Sequence, residues 1–174
     1  MHRARARVLS AAFACGLLLA VGSAAASLTD KVVLSLDENP VQITRTEIDA
    51  AAESIDVVVY KFDERLLRKA VERAIKRGVA VRIVADRDEA RRKGSELRRM
   101  ERDGARVALW RRGKLHAKFT IIDGKRVLTG SYNWTSSAAE SNVELLVSLD
   151  DPGDVKQFEQ AFETLWSAAR SPGG

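Results

Sequence analysis

His116 and Lys118 stand two residues apart in LHAKFTIIDG, residues 115–124. On an extended strand, side chains at that spacing project to the same side. The spacing recurs twice downstream, with Ser131 and Asn133 in GSYNWTSS and with Asn142 and Glu144 in SNVELL. A single polar residue buried in a strand ordinarily has just a hydrogen-bond partner. Three polar pairs among apolar neighbours point to a convergent polar site. Imidazole is a nucleophile and an acid–base group near neutral pH. Lysine and asparagine supply donors that hold anionic oxygens and stabilise charge in a phosphoryl transition state. A carboxylate such as Glu144 can accept an imidazole N–H and fix the tautomer. No cofactor is expected. Zinc is implausible with so few histidines and cysteines, and the carboxylates show neither EF-hand nor two-metal spacing.

Alternating strand and helix patterns must position these residues. KVVLSL (31–36) reads as a short strand. ITRTEIDAAAESI follows as a helix, with Thr44 and Glu47 spaced as a capping box. IDVVVYKF (55–62) is a β-branched run of strand length. DERLLRKAVERAIKRG is an amphipathic helix with Leu66, Leu67, Ala70, Val71, Ala74 and Ile75 on one face, closed by Gly78. VAVRIVA (79–85) completes a strand–helix–strand unit, the pattern of a parallel pair with a helical crossover. Residues 88–103 read as a basic helix ended by Gly104, and ARVALW (105–110) as the next strand. LHAKFTII and RVLTG flank Asp123-Gly124-Lys125, a hairpin-turn signal. NVELLVSL (142–149) is a strand. The last helix carries Phe158, Phe162, Leu165 and Trp166 on one side as core packing. The expectation is one α/β domain, a mixed and mostly parallel sheet flanked by helices.

Residues 1–26 read as a secretory leader: basic MHRARAR, apolar VLSAAFACGLLLAV, and an Ala-x-Ala site at Ala24-Ala25-Ala26. The alternative is an uncleaved anchor. Cleavage before Ser27 leaves a domain at 27–174 and implies the periplasm or the exterior, with no stable membrane association. It also removes the single cysteine and His2, so His116 becomes the sole histidine. With Arg3, Arg5 and Arg7 gone, net charge falls from +5 to +2. The remaining basicity is local. Arg87 to Lys114 holds eleven Lys/Arg against five Asp/Glu and leads directly into His116. Such a block suits a polyanion, or it is a solvated helix with i,i+4 pairs.

His116-Ala-Lys118 with Asp123 five residues on resembles the HxKxxxxD motif of the phospholipase D superfamily, and Gly130-Ser131-Tyr-Asn133 resembles its GSxN element. Asn142-Val-Glu144 is similar to a later family element. The resemblance extends from about Val32 to Trp166 and looks closest to small, single-motif, exported bacterial endonucleases. More distantly, it includes single-motif mitochondrial enzymes that cleave RNA or cardiolipin. It implies that His116 is the nucleophile of a phosphohistidine intermediate, that Lys118 and Asn133 grip phosphate oxygens, that Ser131 adds a hydrogen bond, and that Glu144 hydrogen-bonds His116. Asp123 belongs to the motif, yet its odd offset puts it on the opposite face from His116, and it opens an Asp-Gly turn, where a structural role fits. Family enzymes with two motifs bring two histidines, and this chain brings one. The resemblance therefore implies a two-fold homodimer sharing one site.

The expected activity is metal-independent, non-specific cleavage of nucleic acid, DNA or RNA. Arg111, Arg112 and Lys114 are the candidates for backbone contacts. Trp110 and Trp134 either stack on bases or pack at a sheet edge. Two other readings are a phospholipase or cardiolipin-type hydrolase using the same site, and a binding module without catalysis.

Overall fold

The computed structural model describes residues 31–171, so the leader lies outside the described residues. Seven strands, Lys31–Leu34 (β1), Ser54–Val59 (β2), Ala80–Asp86 (β3), Arg106–Trp110 (β4), Phe119–Ile122 (β5), Arg126–Gly130 (β6) and Leu145–Leu149 (β7), form one sheet in the order β1-β7-β6-β5-β2-β3-β4. β2, β3 and β4 pair in parallel, and the other four ladders are antiparallel. The sheet is mixed, as expected. "Mostly parallel" holds for strand direction, since only β5 and β7 run against the other five, but not for the ladders. The expectation came from the strand–helix–strand unit, whereas the later hairpins pair antiparallel.

Helices Pro40–Ala50 (α1), Arg65–Lys76 (α2), Arg87–Ala90 (α3) and Leu97–Asp103 (α4) precede the hairpin, and Ser136–Glu140 (α5) and Pro152–Arg170 (α6) follow it. Val41, Ile48, Leu67, Ala70, Val71, Ala74, Leu97 and Met100 bury one face of the sheet under α1, α2 and α4. Val155, Phe162 and Trp166 of α6 bury the opposite face with Val58, Val84, Phe119, Ile121 and Val127. Covered on both sides, β2 is apolar at successive positions rather than alternating. Each large side chain fully withdrawn from water contributes about 1.5–3 kcal/mol. The exception in β2 is buried Asp56. Its oxygens accept from Arg82 at 2.7 and 2.6 Å, and the guanidinium lies over Phe162 and bonds Glu163 of α6 at 2.7 Å. The carboxylate is therefore paired where an isolated charge would be costly.

Several local expectations shift. α1 begins at Pro40, and Asn39 caps it by accepting from the Val41 N–H at 2.9 Å. Thr44 and Glu47 are buried inside this helix and form no capping box. Proline at the first helical position and asparagine before it outweigh the later signal. Glu47 instead receives Arg126 at 3.0 Å on both oxygens. Leu66 is exposed, at the edge of the apolar face of α2. The basic helix expected over 88–103 is two short helices, interrupted where Gly94 takes a φ of +98°. Asp86 ends the preceding strand and caps α3.

Candidate active site

Because β5 and β7 run against β2, β3, β4 and β6, one rim of the sheet collects the ends of β2 (followed by Tyr60), β3 (Asp86), β4 (Trp110) and β6 (Gly130). It also collects the approaches to β5 (His116, Lys118) and β7 (Asn142, Glu144). The carboxyl ends of parallel strands are where α/β sheets build their sites. The expected polar pairs lie just outside the strands: β5 starts at Phe119, β6 stops at Gly130, and β7 starts at Leu145. Their grouping at one rim holds, but it comes from strand order and not from a shared pleat.

The exposed imidazole of His116 meets the edge of the Tyr60 ring, with centroids 4.8 Å apart and planes at 61°. Lys61, Lys114 and Lys118 place their Nζ atoms 5.4, 5.3 and 5.7 Å from the same ring centroid. Lys118 Nζ also donates to the His116 carbonyl at 2.7 Å. The Lys118 charge, partial burial, and the charges of Lys114 and Lys61 hold the imidazole pKa below its ordinary value, favouring the neutral, nucleophilic form. Burial lowers the Lys118 ammonium, with Glu144 opposing.

The segment before β5 lacks regular structure and is held by specific bonds. Asp86 is buried. Its Oδ1 accepts from Asp88 N and Glu89 N at 3.0 and 3.1 Å, and its Oδ2 accepts from Leu115 N at 3.0 Å. One carboxylate thus ties the end of β3 and the start of α3 to the residue preceding His116. Thr129 Oγ1 donates to the Lys118 carbonyl at 3.0 Å, and the Leu115 side chain is in the core. Tyr60 donates to Glu89 Oε1 at 3.1 Å. Sequence reasoning missed Tyr60 and Asp86. Their signal is position: each is the first polar group closing an apolar run in the parallel half of the sheet.

Glu144 is buried and accepts from Ser131 Oγ in a short hydrogen bond and from Asn142 Nδ2 at 2.9 Å. Ser131 Oγ also accepts from Leu145 N at 3.0 Å. The expected Glu144–His116 hydrogen bond is not formed; the carboxylate bonds instead to Ser131 and Asn142 on the β6–β7 side. Asn133 brings a buried Oδ1 with no hydrogen-bond partner among the described residues, three residues beyond the end of β6. Gly130 makes this half possible. At φ +147°, a Cβ there would stand 2.1 Å from the Leu145 carbonyl oxygen.

Asp123 lies at the far end of β5 from His116, at positive φ with Gly124. Its carboxylate accepts from Ala52, Glu53 and Ser54 N–H at 2.8–3.2 Å. Burial pushes the carboxyl up, but those N–H groups and Lys125 outweigh it and hold the pKa below the ordinary value. Asp123 thus joins the hairpin to the α1–β2 junction and does not converge on the other motif residues. Trp134 is core, edge-on to Phe62 with centroids 4.9 Å apart, which leaves no face for a base. Trp110 is half-buried and lines a cavity of about 500 Å³ with Tyr60, Arg111 and Lys114. Arg111, Arg112 and Lys114 are exposed just before His116. No group of three His, Cys, Asp or Glu among the described residues is arranged to hold a metal ion.

Similarity to known proteins matches this geometry. A family model described as "Cardiolipin synthase, PLD-like domain" covers residues 44–166. The mitochondrial cardiolipin hydrolase of Danio rerio is 33% identical over 122 residues, 69% of this chain and 54% of that protein. A phospholipase D of Rickettsia felis is 38% identical over 106 residues, 60% of this chain and 53% of that protein. The chain thus spans about half the length of these curated relatives. Among solved structures, the phospholipase D family member Nuc from Salmonella typhimurium superposes with a TM-score of 0.75 at 27% identity, over 80% of this chain and 95% of that one. With the His116–Lys118–Asp123 spacing, the Ser131–Asn133 element and the sheet that groups them, the chain belongs to the phospholipase D superfamily.

Proposed function

We propose that this protein is a phosphodiesterase that hydrolyses nucleic acid without a metal, through a covalent phosphohistidine on His116. The observation that carries the chemistry is an exposed imidazole beside Lys118 and two further lysines, held below its ordinary pKa. A neutral ring nitrogen attacks phosphorus and the P–O bond to the leaving alkoxide breaks. Lys118 and Asn133 hold the non-bridging oxygens as charge builds on them. The leaving oxygen takes a proton from an imidazolium, and water then attacks the phosphorus of the P–N bond to release the second product. Ser131 and Glu144 brace the Asn133 side of the site, and Asp123 braces the fold.

A nucleophile and an acid call for two imidazoles, and the described residues contain one. The second is assigned to a second copy of the chain about a two-fold axis. Nucleic acid is favoured over lipid because Arg111 and Lys114, beside the site, have no acidic partner among the described residues and can take phosphates of an extended chain. Export to the periplasm or exterior rests on the leader at residues 1–26.

The deciding experiment assays plasmid DNA, RNA and cardiolipin vesicles side by side, with and without excess EDTA. We expect cleavage of DNA or RNA that persists in EDTA, and a loss of about 10³-fold or more in His116→Ala. Activity abolished by EDTA and restored by magnesium would reject the mechanism. Hydrolysis of cardiolipin alone would move the assignment to the lipid reading.

A further inference from the structure

Three concavities run on from one another across the face beside His116. The cavity of about 500 Å³ between Trp110 and Tyr60 shares Glu89 with a second of about 330 Å³, lined by Lys61, Arg92 and Lys93. The second shares Asp63, Lys93 and Ser95 with a third of about 640 Å³, lined by Arg65, Arg98, Arg102, Ser136 and Ser137. His116 packs against Tyr60 of the first cavity, and the charge of Lys61, which lines the second, reaches its imidazole.

Five acids line the three cavities, Asp63, Asp86, Asp88, Glu89 and Glu96, against ten Lys/Arg; Asp88 pairs with Arg87 and Asp86 holds backbone N–H groups. Glu89 holds Arg92 and the Tyr60 hydroxyl. Glu96 lies between Arg68 and Arg99. Asp63 accepts from Ser136 N. Lys61, Arg65, Lys93, Arg98, Arg102 and Lys114 have no acidic partner among the described residues. A groove with an excess of cations, unpaired ones in each of its three parts, matches a chain of regularly spaced phosphates, since each phosphate neutralised releases counterions. A lipid headgroup carries too few phosphates to fill it. A bilayer surface cannot follow a row of concavities.

We infer that a single nucleic-acid strand lies along this groove, from the Trp110 cavity past His116 to Arg98 and Arg102 on α4, which bind phosphates remote from the scissile one. This inference rests on the nucleic-acid reading above. The aromatic faces at the Trp110 end suit an unstacked base, and phosphate contacts along the rest position the strand without reading its sequence.

The test uses the full chain and the double variant Arg98→Ala/Arg102→Ala, both positions being exposed. Substrates are bis(p-nitrophenyl) phosphate, a dinucleotide, a single strand of about 12 nucleotides, and cardiolipin vesicles. For the variant we expect kcat/KM on the long strand to fall about 10-fold and its salt dependence to flatten by about 1.4 in log–log slope. Rates on the two short substrates should be unchanged, which also certifies the folded site. Equal loss on short and long substrates, or none on the long strand, would overturn the groove while leaving the nuclease reading intact. Wild-type protein that hydrolyses bis(p-nitrophenyl) phosphate and cardiolipin but neither oligonucleotide would overturn both.

Discussion

His116 works in the field of three ammonium groups, and its reactivity follows from them. Lys118, burial, Lys114 and Lys61 all disfavour the imidazolium, so the neutral form that the proposed attack requires persists to lower pH than in a free histidine. The acidic limb of kcat/KM should therefore lie below the ordinary imidazole value. Lys114→Gln removes one of the opposing charges, so the imidazole pKa rises and the acidic limb moves to higher pH. A pH profile with bis(p-nitrophenyl) phosphate reads this directly. A limb that stays put or moves lower would show that the lysine charges do not set the nucleophile's protonation. The residues of this centre were legible in the sequence, because the motif letters are chemically distinctive and closely spaced. Tyr60 and Asp86 were not, since a tyrosine and an aspartate at strand ends carry no spacing signature. Their link to the site comes from the approach of the 111–118 segment, which brings His116 to Tyr60 and the Leu115 N–H to Asp86.

Among the elements, the closest constraint is the junction of β6 and β7. Gly130 combines a φ of +147° with a contact that leaves no room for a Cβ against the Leu145 carbonyl. Gly130→Ala forces the strands apart at the point where Ser131 meets Glu144. We expect a destabilisation of about 2–4 kcal/mol, from the positive φ and overpacking together. Activity should fall beyond the loss of folded protein, because the oxygens of Glu144 lose their donor from Ser131. Chemical denaturation, with kcat measured on the folded fraction, separates the two. Unchanged stability would mean the sheet gives way more easily than the backbone contact implies. Element types were readable here from apolar periodicity and turn residues, as with the Asp123-Gly124 turn, where both residues have positive φ. Boundaries were less so. Proline and asparagine moved the start of α1 back to Pro40, and Gly94 divided the basic helix into two.

For the whole molecule, the incomplete partner set at the rim and an uncovered apolar surface lie together. α6 covers the centre of the sheet. Leu34, Leu36, Val143 and Leu145 remain exposed where β1 ends and β7 begins, Leu36 at 74% and Val143 at 65%, flanking Asn142 and Glu144. A two-fold contact here would bury apolar surface and bring two copies of His116 toward one site. Specific activity should then rise with protein concentration through the dimer–monomer transition. Leu36→Asp should weaken the dimer in sedimentation velocity, with activity recovering at high concentration. A fully active monomer would refute the shared site. By itself, the sequence determined the reactive groups, the strand and helix types and the α/β class, because residue chemistry and local periodicity are encoded within a few residues of each other. Only the tertiary structure decided which groups meet. Reversing β5 and β7 puts His116, Lys118, Asn142 and Glu144 on the rim with Tyr60 and Asp86. The same reversal carries Asp123 to the opposite end, where three backbone N–H groups claim it. Strand order is set by pairing across long stretches of chain, and no local pattern records it.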